Sequence, residues 1–102
     1  PSYLRLLGVF LASHAEDSLK IDAALASGNI KNAEQIAHAL KGVSGTLGLT
    51  GIYEASSALL DALRKSATAP EISRLQSELS SRMQETGKHL APIIATMPSH
   101  PL

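Results

Sequence analysis

Cysteine is absent from the chain, which excludes a disulfide framework, a thiol nucleophile and any sulfur-ligated metal site. A reducing compartment is therefore permitted. Aromatic residues are nearly absent too, at one Phe and two Tyr in 102 residues with no Trp. That disfavours a β-sandwich and leaves leucine, isoleucine and alanine to fill a core. Neither sign of charge prevails: nine Lys and Arg balance nine Asp and Glu. No global field draws nucleic acid or anionic lipid, so any anion recognition has to be local. No apolar run approaches the roughly 20 residues that span a bilayer. The apolar segment Leu4 to Ala12 lacks a basic leader and continues into an amphipathic pattern, so it is expected to be helix rather than a signal peptide.

What remains is a chain of helix formers, 44% apolar and 18% charged. Its length suits one domain with one core. From Tyr3 to Ser27 apolar residues recur at three- and four-residue steps (Leu4, Leu7, Leu11, Ala15, Ser18 or Leu19, Ile21, Leu25), with Val9 and Phe10 widening the stripe. This spacing predicts one long first helix. Glu16, Asp17, Lys20 and Asp22 fall on its polar side, and His14 at the stripe's edge. Gly28 suits a left-handed helix terminus and Asn29 the cap of the next helix.

The second helix is predicted over Ile30 to Leu47. Ala33, Ile36, Ala37, Leu40, Val43, Ser44 and Leu47 fall within an arc of roughly 120° at 100° per residue. His38 lies roughly 160° from the centre of that arc. It therefore points to solvent, and Lys31, Glu34, Lys41, Gly42 and Gly45 share its face. Glycine in a helix interior costs about 1 kcal/mol relative to alanine. Two glycines within two turns of one histidine suggest that access to the ring matters more than that loss.

Gly48-Leu49-Thr50-Gly51 should break the helix, with Gly48 ending it. Ile52, Ala55, Ser56, Leu59, Ala62 and Leu63 then predict a third helix to about Ser66. Thr68 and Glu71 have capping-box spacing and Pro70 fits a first turn, so a fourth helix starts there. Its stripe is Ile72, Leu75, Leu79, Met83, Thr86, Leu90, Ile93, Ile94 and Met97, with Pro92 expected to kink or end it. Four amphipathic helices joined by short turns predict an all-α fold, an antiparallel up-down four-helix bundle over residues 1–97, with 98–102 as a tail containing His100.

An exposed neutral imidazole is a competent nucleophile. If it attacked a phosphoryl donor, the product would carry about two negative charges, and Lys41, one turn along, is placed to offset part of them. A hydrolase using His38 as general base lacks a partner nucleophile or an orienting carboxylate. No two histidines stand four residues apart, so no zinc site is expected, and no glycine loop follows a strand to cradle a nucleotide. A helical docking or dimerisation module using the glycine-bearing face without chemistry is the alternative.

The run His38-Ala39-Leu40-Lys41-Gly42-Val43-Ser44-Gly45, followed by Leu47-Gly48, closely resembles the phosphoacceptor motif of histidine-containing phosphotransfer (HPt) domains. In that motif Lys-Gly follows the histidine at plus three and plus four. Leu7 to Phe10, Ala26 to Asn29 and Leu59 to Arg64 also look like family segments, so the resemblance covers roughly Leu4 to Ser66. Asp61 and Asn29 stand where the family often has glutamate and aspartate.

The resemblance implies a relay intermediate in two-component signalling. His38 would be the phosphoacceptor, Lys41 its electrostatic support, and Gly42 and Gly45 the clearance for the incoming receiver; Glu34, from its place on the same helical face, is expected with them as a partner-binding residue. The partners would be response-regulator receiver domains, with the Mg²⁺ on the receiver, no cofactor or metal on this domain, no nucleic acid and no direct membrane contact. A monomeric cytoplasmic module is expected. The opening on Pro1, together with the family's habits, suggests the C-terminal module of a hybrid sensor histidine kinase whose parent sits in the bacterial inner membrane.

Overall fold

A computed structural model describes residues 2–95; Met97, His100 and the expected tail lie outside them. It is built from α1 (Ser2–His14), α2 (Asp17–Ala26), α3 (Ile30–Leu47), α4 (Thr50–Arg64) and α5 (Ala69–Ala95). There are no strands among the described residues. The helices form the expected all-α, up-down four-helix bundle, with α1 and α2 together making its first leg.

The first leg is the main departure from expectation. It breaks at Ala15–Glu16, and Glu16 has φ −107° and ψ 8°. The break turns Asp17 inward, to 7% exposure, against its expected place on the polar side. The buried carboxylate is held by the His14 ring, Nδ1 to Oδ2 at 2.6 Å, and that ring stacks on Phe10 with centroids 5.1 Å apart. Phe10 is buried at the centre of the stripe, whereas Val9 is exposed.

Three helices end in the same way. In α3 the Gly48 N–H donates to the Gly45 carbonyl and the Leu49 N–H to the Ser44 carbonyl, with Gly48 left-handed at φ +75°. This Schellman pairing satisfies the last carbonyls of the helix. Gly28 ends α2 by the same pair of bonds, and Ser66 ends α4 with a φ of +57°. Two of the three following starts, those of α3 and α5, are capped as the sequence predicts: the Asn32 N–H donates to Asn29 Oδ1, and the Glu71 N–H to Thr68 Oγ1.

The α3 and α4 stripes are buried much as predicted, from Ala33 to Leu47 and from Ile52 to Leu63. Ser44 and Ser56 sit fully buried among them because each hydroxyl donates to the carbonyl four residues back, at 2.6 and 2.7 Å. The last helix is less regular. Leu79 and Gln76 are buried, but Ile72, Leu75, Met83 and Leu90 are only partly so. Gln76 is tied to the first leg, its Nε2 donating to the Ser18 carbonyl at 2.9 Å. The helix also passes through Pro92 to Ala95 instead of ending there. At 1.5 Å per residue α5 is about 40 Å long against about 27 Å for α3. Its first half lies along α2 and α4, and its second half runs beside α1, where a Cβ on Gly8 would meet Ile94 at 3.8 Å. The long α5 therefore runs past the shorter α3–α4 hairpin, and the part of α3 that carries His38 is exposed.

Candidate functional site

The apolar arc of α3 fixes its orientation. Ala33, Ala37, Leu40 and Ser44 are each fully buried, so the opposite face must look outward. His38 is on that face, exposed, and makes no hydrogen bond or ion pair with any described residue. Nothing in its surroundings withdraws the ring nitrogens from a reacting partner. Its neighbours one turn away differ in what they leave open.

On the N-terminal side stands Glu34, half-buried and without an ion pair among the described residues. Lys41 is half-buried as well, and its amine has no carboxylate partner there. Of the two carboxylates that could pair with it, Glu34 makes no ion pair among the described residues and Asp61 is engaged elsewhere: Lys65 Nζ lies 2.9 Å from its Oδ2. That hydrogen bond and the carboxylate's charge hold the Lys65 amine above its ordinary range. Lys41 is thus a cation whose charge is not already neutralised by a neighbour.

The two glycines are not equivalent. A Cβ placed on Gly42 would meet nothing within 4 Å, so the surface next to His38 is open at that position. A Cβ on Gly45 would lie 3.1 Å from both Cδ1 and Cε1 of Tyr53. The space at Gly45 is filled by a ring from α4. Tyr53 is a residue that the sequence reading passed over. Its signal was the turn itself, since Gly45 and Tyr53 each lie four residues from Leu49 and so face each other across a tight antiparallel hairpin. Gly48 and Gly51 do structural work: Gly48 is the left-handed terminus of α3, and Gly51 lies in the first turn of α4 beneath the Arg82 side chain, 3.4 Å from where its Cβ would be.

Among the described residues no three metal-ligating side chains converge, and no helix is long and apolar enough to cross a membrane. The local inventory is therefore an unencumbered imidazole, an unpaired ammonium one turn away and a bare helical surface between them. The family model for the Hpt domain matches residues 5–89. The chain belongs to the Hpt domain family. No curated protein and no solved structure matches it. The match extends beyond the sequence resemblance noted above, past Ser66 and well into α5. As an Hpt domain the protein has a histidine phosphotransfer role in phosphorelay, and Hpt domains work with receiver domains.

Proposed function

We propose that His38 accepts a phosphoryl group from the aspartyl phosphate of one receiver domain and passes it to an aspartate of another. The observation that carries this reading is the exposed, unbonded His38 beside the open surface at Gly42. A ring nitrogen lone pair attacks phosphorus, the N–P bond forms, and the acyl P–O bond breaks with its electron pair leaving on the aspartate carboxylate. The proton on the other ring nitrogen can pass to solvent, leaving a phosphoramidate with about two negative charges. Transfer onward is the same step reversed on a new carboxylate. The Mg²⁺ such an exchange uses would be carried by the receiver.

Lys41 acts by charge. Two negative charges about 6 Å from its ammonium gain about 1.4 kcal/mol even at the dielectric of water, close to tenfold in rate. A hybrid sensor kinase as the parent protein, with this domain in the cytoplasm, is the context we propose from family membership.

The test is to incubate the domain with a receiver phosphorylated by acetyl phosphate and Mg²⁺ and follow alkali-stable, acid-labile label. Label should appear on the wild type, disappear in His38→Gln, and form about tenfold more slowly in Lys41→Ala with the helical content of both variants unchanged. Label that persists in His38→Gln overturns the assignment. An unlabelled wild type whose mass rises with concentration would point instead to a silent dimerisation module.

A further inference from the structure

The outward face of α3 does not end at the histidine. Gly45 lies within about 20° of His38 on the helical wheel and about 10 Å further along the axis. Tyr53 covers it, 40% exposed, with one edge of its ring seated on the glycine backbone. Beyond it Ser44, Gly45, Gly48, Thr50 and Tyr53 line a shallow depression of ≈ 360 Å³. Tyr3 of α1 stands on the other side, its hydroxyl donating to the Leu47 carbonyl at 2.6 Å and lying 4.0 Å from where a Gly48 Cβ would be. Two of the chain's three aromatic side chains are thus gathered at one end of α3, and both are exposed. Aromatic rings that keep both an apolar face and a polar edge at the surface are enriched in protein interfaces.

We infer that Tyr53, seated on Gly45, is a docking and specificity-determining contact for the receiver domain. This rests on the phosphotransfer reading of His38. The size of a protein interface makes the contact hard to avoid. Even a small, transient interface buries about 600 Å² on each partner, a disc about 14 Å in radius. A receiver centred on His38 therefore reaches Gly45 and the ring above it. Gly45 acts through this ring: it leaves room for the Cδ1–Cε1 edge of Tyr53, which a side chain at that position would displace. Gly42 admits the partner's reacting group, and Gly45 positions the surface on which the partner rests.

The test separates docking from chemistry. His38 is labelled in one arm by phosphoramidate, a small donor that loses ammonia and needs no docking surface. In the other arm it is labelled by each of a panel of receiver domains phosphorylated with acetyl phosphate and Mg²⁺. Tyr53→Ala should raise the half-saturating receiver concentration about tenfold, as loss of an interface tyrosine commonly does, and leave the phosphoramidate rate within about twofold. Tyr53→Phe should restore most of the loss, and the preference among receivers should narrow in Tyr53→Ala. Thr50→Arg, which fills the depression from an exposed position without touching the ring's seat, should weaken docking in the same direction and stands in if Tyr53→Ala fails to fold. If the wild type takes label from receivers and neither variant changes half-saturation, the inference is overturned and the phosphotransfer reading stands. If the wild type takes label from phosphoramidate but from no receiver, the relay reading falls, and the docking role with it. A concentration-dependent mass that Tyr53→Ala abolishes would give the surface to a second copy of the chain and also overturn the inference.

Discussion

At the scale of single residues, the site is defined by what its neighbours do not do. Lys41 has no carboxylate partner among the described residues, and His38 makes no hydrogen bond with any of them. Gly42 is the clearest case of a local cost kept for access. Its added Cβ would meet nothing, and its backbone is not in the left-handed region, so alanine fits there without strain. Gly42→Ala should therefore stabilise the domain by about 1 kcal/mol, raising the melting temperature by roughly 4–8 °C. The same methyl group intrudes on the surface beside His38, so transfer from a phosphorylated receiver should slow severalfold. Thermal melts and transfer rates on one preparation check both halves. A more stable variant with undiminished transfer would show that partner access is not what keeps glycine at this position. His38 and Lys41 were legible in the sequence, because a helical wheel needs only the 3.6-residue period to place them outward. Tyr53 was not, because its position over Gly45 depends on how two helices meet across a turn.

At the scale of elements, the helix ends explain which boundaries could be read. Gly28 and Gly48 announced the ends of α2 and α3, since only glycine adopts a φ near +75° without cost. The end of α4 carried no such signal, because Ser66 takes the same left-handed position at φ +57°. The predicted helix accordingly ran to about Ser66, and the observed one closes at Arg64. The break between α1 and α2 was hidden for a related reason. No Gly or Pro marks Ala15–Glu16, and the apolar spacing continues across it, so periodicity alone read one helix. What the break gains is the buried Asp17 carboxylate held by His14, a pairing that spacing cannot reveal. A left-handed backbone costs an L-residue about 1 kcal/mol or more, so Ser66→Gly should raise stability by about 0.5–1 kcal/mol. The readout is the chemical-denaturation midpoint, with an unchanged slope. The Ser66 side chain makes no hydrogen bond with any described residue that the glycine would forfeit. A lower midpoint would mean that the added freedom of the unfolded chain outweighs the relief of strain.

At the scale of the whole molecule, the bundle serves the site by packing α3 against the first leg and α4 while the face that carries His38 stays exposed. The overall dimensions, 48 × 23 × 19 Å, reflect helices laid side by side with α5 running past the α3–α4 hairpin. What joins the first leg to the last helix is therefore central to the fold, and the strongest polar tie is Gln76. It is 4% exposed, and its Nε2 donates to the Ser18 carbonyl at 2.9 Å and to Ser18 Oγ at 3.2 Å, across 58 residues of sequence. The tie comes at a cost, since Gln76 Oε1 is buried with no partner among the described residues. The net contribution of the residue thus turns on two hydrogen bonds and packing volume against one unsatisfied oxygen. Truncation removes both bonds and leaves a void, while relieving the stranded Oε1. Each bond is worth about 1 kcal/mol and the void adds to the loss, so Gln76→Ala should destabilise the domain by about 2 kcal/mol overall. Because Gln76 belongs to the junction of α2 and α5 and not to the outward face of α3, the phosphoramidate labelling rate of His38 at a temperature where the variant is folded should be unchanged. A fall in stability accompanied by an equal loss of His38 reactivity would show that the open face of α3 depends on how tightly the first and last legs are joined.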